Sequence, residues 1–161
     1  MRRKDREITD RAEMLRILER CDVCRVALNG GDGYPYILPL NYGVQVEGDQ
    51  VTLVFHGALT GTKYDLMARD GRAVFEVDGA HRLVTEQKEA CVTCTMEYES
   101  VVGRGRMELV PEEEKFEALR ILMRHYHGED LPFSETFMGH NAAFRLVVEE
   151  MTGKRRMKPG S

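Results

Sequence analysis

The chain opens on a helix-like pattern of apolar and charged positions and then changes to strand-like alternation. Between Asp10 and Cys21, apolar residues recur at helical spacing among charged ones, which predicts an amphipathic helix. Thr9 or Asp10 is expected to cap the start of this helix, with Glu13 placed for a capping box. From Val23 onward, short apolar runs lie between turns rich in Gly, Asn and Asp, which predicts β-strands.

The strand-like segments occupy most of the middle of the chain and its end. They are residues 23–28, 34–46, 50–56, 73–77, 91–110 and 141–151. The segment 91–110 is expected to form one long bent strand, or two strands broken at Gly103 and Gly105. Pro35 and Pro39 each remove a ladder donor from segment 34–46, so that strand is expected at a sheet edge, at a bulge or beside a ligand.

Helices are predicted only at the margins of these strands. Besides the first helix they cover residues 60–68 and 111–126, while 78–89 is a polar connection and 128–139 an irregular loop. Strands that follow one another through turns favour an antiparallel barrel over a βαβ sheet. The predicted fold class is therefore mainly β, with six or seven antiparallel strands. A chain of 161 residues suits one domain, 1–161, with flexible ends at 1–9 and 152–161.

Composition and charge narrow the classes of partner. At 42% hydrophobic residues the chain can bury one core, and a net charge of −4 gives no general reason to expect nucleic acid or an anionic membrane as partner. No stretch reaches the roughly 20 apolar residues that a membrane helix needs. The charged start, MRRKDRE, is not followed by an apolar run, so no secretory signal is predicted and the cytoplasm is the expected compartment.

The cysteines form two CxxC pairs, a spacing that superficially resembles a zinc site. They are Cys21, Cys24, Cys91 and Cys94. The first pair straddles a predicted helix end, and the second lies on a predicted strand, where positions three apart point to opposite faces. The histidines at 125 and 127, with His140, do not share a helix face either. No metal site is predicted, and the cysteines are expected to be small buried hydrophobic residues.

The segment FHGALTGTK, residues 55–63, concentrates the chemistry. Thr60, Thr62 and Lys63 open a predicted helix, whose free backbone amides and positive potential suit a phosphate group. The alternative is ordinary capping by Thr60 or Thr62, with Lys63 as a solvated surface charge. His56 ends a strand in which Val51, Leu53 and Phe55 share one face, so the imidazole should point to the other face.

The order of short segments along the chain resembles the pyridoxamine 5′-phosphate oxidase-like flavin-binding split barrels, and most closely their nitroimidazole-resistance (Nim) type. The similar segments are DVCRVA (22–27), PYILPLNY (35–42), FHGA (55–58) with Gly61 and Lys63, YESVVGRG (98–105), EEK (113–115) and TGK (152–154). Each segment alone is weak evidence, but the ordered set spans almost the whole chain.

This resemblance implies a homodimeric split β-barrel that holds one FMN per site in a groove between two subunits. Lys63 with Thr62 would contact the flavin phosphate. By the same resemblance, the residues along the isoalloxazine ring or in its groove are Pro39, Leu40, Asn41, Tyr42, His56, Gly57, Ser100 and Val101. FAD or haem in place of FMN stays open.

Three interpretations of His56 stay open at this point. In the first, it contacts the flavin or donates a proton, and it is then the catalytic residue. In the second, it is an axial ligand of haem. In the third, it is an interior histidine whose hydrogen bonds are made within the protein. The predicted function is an FMN-dependent reductase or oxidase of small molecules, with nitroimidazole-type nitro groups as the substrates that the resemblance suggests. The alternatives are a flavin- or haem-binding dimer without turnover, acting as carrier or sensor, and a structural dimer without a cofactor.

Overall fold

The computed structural model describes residues 3–87, 89, 91–129, 132 and 134–157. Within them the strands are β1 (Glu7–Ile8), β2 (Cys24–Asn29), β3 (Pro35–Leu40), β4 (Tyr42–Glu47), β5 (Gln50–Ala58), β6 (Arg72–Gln87), β7 (Val92–Leu109) and β8 (Asn141–Arg156). The α-helices are α1 (Arg11–Arg20), α2 (Thr62–Arg69), α3 (Lys115–His127) and α4 (Glu135–His140). Two short 3₁₀ turns, Lys4–Arg6 and Glu112–Glu114, complete the described elements.

One antiparallel sheet contains all of these strands. Its order is β3-β2-β6-β7-β8-β5-β4, and β1 pairs with β8 beside this path. The two end strands, β3 and β4, follow each other in sequence with only Asn41 between them, so the sheet curls back on itself and leaves an open seam. This is the mainly β, antiparallel split barrel that the sequence predicts. The structure has eight strands because Asn41 divides the predicted strand 34–46 and because β1 is added.

The two prolines lie where a missing donor costs little. Pro35 and Pro39 belong to β3, which pairs with β2 and is an end strand of the described sheet. Of the three settings expected for this strand, the sheet edge is confirmed.

The core fills the inside of the barrel and is extended by the first helix. The Asp10 carboxylate accepts a hydrogen bond of 2.9 Å from the Ala12 amide, so the predicted cap is confirmed. Ile17 and Leu18 of α1 are fully buried in the same cluster as the barrel's phenylalanines, Phe55, Phe75 and Phe144. Each fully buried aliphatic side chain contributes roughly 1.5–3 kcal/mol to stability.

The region 78–89, predicted to be a polar connection, is largely strand. β6 continues to Gln87 and pairs with β7 as far as Val92, after a register shift between Gly79 and Arg82. Before the shift the outward side chains of β6 are at even-numbered positions, and after it they are at odd-numbered positions. The alternation is therefore not visible in the sequence. Lys88 and residue 90 lie outside the described residues.

The chain ends also differ from the expected flexible segments. β8 continues through Thr152 to Arg156, where it pairs with β7, and β1 pairs with Lys154 and Gly153. Residues 1–2 and 158–161 lie outside the described part of the chain. In the predicted loop 128–139, Ser134 caps the short helix α4 by accepting a hydrogen bond of 3.1 Å from the Phe137 amide.

The outer surface of the barrel has a covered and a bare side. α3 packs across β4, β5 and β8, where Val54, Ala118 and Ala143 form a second small apolar cluster. No described helix lies over the outward positions of β3, β2, β6 and β7 that Ile37, Val74 and Val102 occupy, and these side chains are exposed. We call this second region the bare face. No helix within the described residues is long and apolar enough to cross a membrane.

Candidate functional site

His56 lies at the end of β5 on the outward side of the barrel. Val51, Leu53 and Phe55 are buried inside, so the predicted orientation of the imidazole is confirmed. His56 pairs with Ala143 of β8, and its ring centre lies 6.1 Å from that of Phe137 in α4. The Nδ1 atom is buried and has no hydrogen-bond partner among the described residues. Burial lowers the pKa of His56, which favours the neutral imidazole.

Lys63 lies in the first turn of α2, and its ammonium group lies near Gly57, the residue that follows His56 in β5. Its Nζ atom lies 4.3 Å from the centre of the Tyr64 ring, and no carboxylate of the described chain lies within 4.0 Å of it. A Cβ added at Gly57 would lie 3.4 Å from the same Nζ, so the glycine leaves room for the lysine. Partial burial lowers the pKa of Lys63, as expected for a cation without a charged partner.

The start of α2 has free backbone donors. Its cap residue is Gly61, with φ of 139°, and no side chain caps it, so the alternative of capping by Thr60 or Thr62 is wrong. Thr62 and Lys63 occupy the first helical positions, where amides lack intrahelical acceptors. A half-buried cation beside a helix start with free donors forms a site for an anionic group.

Asn41 and Tyr42 form the corner between the two edge strands. The β4–β5 ladder ends at the pair Tyr42–Phe55, so Asn41 and His56 are the residues that follow its last pair. The Tyr126 hydroxyl accepts from the Tyr42 amide at 3.1 Å and from Asn41 Nδ2 at 3.2 Å, and it donates to the Asp22 carbonyl at 2.6 Å. The end of α3 thus holds the seam of the barrel in place.

These bonds limit which predicted residues can face a ligand. Tyr42 is fully buried, donates its hydroxyl to the Leu18 carbonyl at 2.5 Å and has its amide bonded to Tyr126. Pro39 is exposed but has no amide hydrogen, and Leu40 packs partly against the core. Asn41 is exposed, and its side-chain amide donates to the Tyr126 hydroxyl.

The remaining predicted residues lie elsewhere on the sheet. Ser100 is on the outward side of β7 between Asp78 and Lys154, and Val101 beside it is fully buried in the core. The structure brings Gly57 and Lys63 together, and Thr62 lies next to Lys63 at the start of α2. His56 is the neighbour of Gly57 in β5, but it points to the outward side of the strand, whereas the Lys63 ammonium lies near the buried Phe144 ring. The ladder of one chain does not place Ser100 or Val101 beside His56.

Sequence inspection missed the aromatic residues around this site. The Tyr64 hydroxyl donates to the Ala58 carbonyl at 2.5 Å, and its ring meets the edge of Phe144 at 6.1 Å between centres. Phe137 lies in α4, within the segment 128–139 that the sequence predicts to be a loop. Tyr126 contacts Asn41, which is 85 positions away in the chain. No local pattern signals such contacts, because each depends on how distant strands and helices pack.

The grooves along the described surface lie away from these residues. One of about 520 Å³ runs between α3 and the outward side of β5 and β8, with Glu108, Glu117 and Arg145 in its lining. Another, of about 660 Å³, lies between the chain start and the end of β8. Neither includes His56 or Lys63, so the candidate site is not one of these grooves.

The cysteines and the other histidines do not form a metal site. Cys21 and Cys24 are buried as predicted, and burial raises the pKa of Cys21 to about 11. Cys91 and Cys94 are exposed, so the expectation of burial is wrong for this pair. Cys91 precedes β7, and Cys94 lies on the part of β7 that pairs only with β6. Across the described chain, no three His, Cys, Asp or Glu side chains come close enough to hold a metal ion.

The comparisons with known proteins point to one family. The sequence profile of the family "Pyridoxamine 5′-phosphate oxidase" matches residues 10–155. The structure is similar to that of a candidate 5-nitroimidazole antibiotic resistance protein from Bacteroides thetaiotaomicron, with 31% identity, coverage of 92% of this chain and 86% of that chain, and a TM-score of 0.77.

Two more distant structures share the fold. The flavocytochrome Anf3 from Azotobacter vinelandii is 22% identical, with 99% of this chain and 73% of that chain covered and a TM-score of 0.74. An FAD and haem binding protein from Mycobacterium smegmatis is 19% identical, with coverage of 95% and 74% and a TM-score of 0.76. No curated protein sequence matches this chain.

Proposed function

We propose that this chain, which belongs to the pyridoxamine 5′-phosphate oxidase family, binds a flavin and uses it to reduce or oxidise small molecules. The observation that carries the proposal is the half-buried Lys63, which no carboxylate of the described chain neutralises and which lies at the open start of α2. Such a cation suits the phosphate of FMN.

The residues around Lys63 fit a phosphate group. The cation and the free amides of the first turn of α2 all donate hydrogen bonds, and Gly57 keeps the space above the lysine open. A charge-assisted bond to a phosphate is worth roughly 1.5–3 kcal/mol. FMN rather than FAD is the proposed ligand because one cation and one helix start serve one phosphate.

His56 and Asn41 serve the reacting end of the site in this proposal. The flavin, when bound, supplies the transfer of electrons or hydride. The neutral imidazole has a free Nδ1 that can hold or move a proton, and its lowered pKa keeps it neutral near pH 7. The exposed amide of Asn41 provides polar contacts that orient a ring or substrate.

A nitro-group reductase is the finer form of this proposal. Its support is the 31% identity to the candidate 5-nitroimidazole antibiotic resistance protein. A nitro compound needs electrons from a reduced flavin and protons from nearby donors, and His56 is placed to supply or relay the latter. The proposed site lies in a groove between two subunits, as the family resemblance implies; within one chain Ser100 lies on the outward side of β7 and not beside His56.

A second candidate is a haem- or flavin-binding dimer without turnover. It is favoured by the unpartnered Nδ1 of His56, because a neutral imidazole nitrogen is a common metal ligand. Lys63 does not separate the two candidates, because the carboxylates of a haem also suit a cation at the start of α2.

Absorption spectroscopy separates these candidates. The protein purified as expressed should show a flavin band near about 450 nm, and denaturation should release FMN. A Soret band without a flavin band would instead support haem, and colourless protein that takes up neither cofactor would contradict both.

Lys63→Ala tests the phosphate contact. The variant should bind FMN about 10- to 100-fold more weakly than the wild type, the equivalent of roughly 1.5–3 kcal/mol. Lys4→Ala removes the same charge from an exposed position at the chain start and should leave the affinity unchanged. Equal FMN affinity of Lys63→Ala and wild type at moderate salt would show that Lys63 does not hold the phosphate.

A further inference from the structure

The Tyr126 hydroxyl uses all of its hydrogen-bonding capacity at the corner between β3 and β4. It lies 2.6 Å from the Asp22 carbonyl oxygen, 3.1 Å from the Tyr42 amide nitrogen and 3.2 Å from Asn41 Nδ2. A phenol hydroxyl has one proton to donate and two lone pairs that accept. A carbonyl only accepts and a backbone amide only donates, so the proton goes to Asp22 and one lone pair goes to Tyr42. The second lone pair is what remains for Asn41.

This arrangement determines which way the Asn41 carboxamide points. The two ends of a carboxamide have nearly the same shape, so its hydrogen-bond partners decide its orientation. If Oδ1 faced Tyr126, two oxygen atoms would meet at hydrogen-bond distance with no proton between them. Nδ2 therefore faces Tyr126, as the structure has it. Oδ1 has no hydrogen-bond donor among the described residues, and Asn41 is exposed.

The last turn of α3 holds Tyr126 in place through a second residue. His125 Nε2 donates to the Cys21 carbonyl at 2.8 Å. The centre of its ring lies 4.6 Å from that of Tyr42 and 4.9 Å from that of Tyr126. The turn is thus bonded to the carbonyls of two consecutive residues, Cys21 and Asp22. A polar group held by several such contacts loses little further freedom when a ligand binds.

Asn41 lies at the end of the β4–β5 pair where the candidate flavin residues are. It is the residue between β3 and β4, at the open seam, and it follows the last pair of the β4–β5 ladder, as His56 does on the other strand. Gly57, the next residue of β5, lies near the Lys63 ammonium group. The free acceptor of Asn41 is therefore on the same end of the barrel as the proposed phosphate site.

We infer that Asn41 Oδ1 accepts a hydrogen bond from the N3–H group of a flavin ring, and that Tyr126 is the positioning residue that keeps this acceptor turned toward the ligand. The inference rests on the proposed function and adds the direction of the hydrogen bond and the residue that sets it. The oxidised isoalloxazine ring has one N–H group, at N3 between two carbonyls. Oδ1 suits that donor, and the second hydrogen on Nδ2 suits a neighbouring carbonyl.

The direction of this hydrogen bond distinguishes a flavin from a haem. The ring nitrogens of a haem bind the iron, and its polar edge groups are carboxylates, which accept hydrogen bonds when ionised. A haem therefore has no donor for Oδ1, whereas a flavin has one. Asn41 separates the two candidate cofactors, which Lys63 does not.

The affinity of the chain for FMN relative to 3-methyl-FMN tests the inference without any substitution. The analogue keeps the phosphate and the ring system but has a methyl group in place of the N3 hydrogen, so it leaves Oδ1 without a donor. Titration of the full chain with each flavin, followed by the quenching of flavin fluorescence, gives both dissociation constants. The wild type should bind FMN about tenfold or more tightly than the analogue. Equal affinities would overturn the inference.

Two variants assign this affinity ratio to the two residues. Asn41→Ala removes the acceptor and makes room for the methyl group, so the ratio should fall to about one. Tyr126→Phe keeps Asn41 but lets its carboxamide turn, so the ratio should fall about threefold or more. A general loss of stability affects both dissociation constants and cancels in their ratio. An unchanged ratio in either variant would overturn the inference.

Asn29→Ala is the matched control. Asn29 is also exposed, and its Nδ2 also donates a hydrogen bond, to Asp70 at 2.8 Å. The substitution removes the same carboxamide from a residue outside the candidate site, so the ratio should stay at the wild-type value. A ratio that fell equally in Asn29→Ala would overturn the assignment to Asn41.

The same titrations separate this inference from the proposed function. A chain that binds both flavins with equal affinity would leave the flavin proposal standing and remove the contact between Asn41 and N3–H. A chain that binds neither flavin would contradict the proposed function and the inference together.

Discussion

On both sides of the barrel, every second side chain of a strand points outward, but the outward side chains lie in different environments. On the covered side, α3 lies over β5 and leaves Val54 1% exposed. On the bare side, Val102 occupies an equivalent outward position of β7 and is 42% exposed. The sheet is the same, and only the presence of a helix differs. Apolar residues on the bare side therefore indicate a surface that the chain does not cover for itself.

The candidate site lies where the helical cover ends. His56 is two positions after Val54 on the same outward side of β5, and it pairs with Ala143 at the edge of the Val54–Ala118–Ala143 cluster under α3. Further along α3, the residue that reaches the seam is Tyr126. A buried polar atom without a partner is tolerated at such a margin more easily than under the helix, because a ligand can reach it.

The largest expected effect comes from placing a carboxylate on the covered side of the barrel, and the same change on the bare face is its control. Val54→Asp places a carboxylate under α3 without a partner and should lower the free energy of unfolding by about 3 kcal/mol or more. Val102→Asp makes the same change on the bare face, where the side chain is 42% exposed and the carboxylate stays in contact with water, so the loss should be about 1 kcal/mol or less. Urea denaturation measures both losses. Equal losses would abolish the distinction between the sides.

His56→Ala tests whether the histidine at the edge of the region covered by α3 takes part in turnover. The variant should keep the dimer and most of the flavin affinity and lose turnover by about 10²-fold or more, the lower range for a lost proton donor. Turnover is measured with a nitro compound or a quinone as acceptor under excess reductant. Loss of folding would favour a purely interior histidine, and unchanged turnover would remove His56 from the mechanism.

The features that the sequence predicts depend on residues close together in the chain, whereas the missed features depend on residues far apart in it. The first helix, its cap at Asp10 and the outward direction of His56 depend on neighbours in sequence, and all three are confirmed. The continuation of β6 past Gly79 depends on a bulge whose partner lies on β7, and the local pattern there predicts a polar connection. Within the candidate site, Lys63 and His56 can be identified from the residues next to them in sequence. The contact of Tyr126 with Asn41 cannot, because it depends on the packing of α3.

Tyr126→Phe tests whether the end of α3 holds the seam. The variant loses the donor to the Asp22 carbonyl and the acceptor for the Tyr42 amide, so we expect about 1–2 kcal/mol of lost stability. Tyr34→Phe removes the same hydroxyl from an exposed turn residue whose hydroxyl has no hydrogen-bond partner among the described residues, and it should change little. Thermal unfolding of the two variants makes the comparison, and equal midpoints would show that the seam does not need the hydroxyl.

The smallest expected effect is a pH dependence that separates His56 from exposed histidines. Burial lowers its pKa in the folded chain, so between its ordinary value of about 6.5 and the lower folded value the unfolded chain binds more protons. Stability from this residue is therefore fully present above about pH 6.5 and is lost as the pH falls through that window. His56→Asn should flatten the decline, whereas His127→Asn, at an exposed position, should keep it. Because burial is the cause of the lowered pKa, a flavin bound over the imidazole should steepen the decline. Identical pH profiles for wild type and His56→Asn would show that the imidazole is as solvated as one on the bare face.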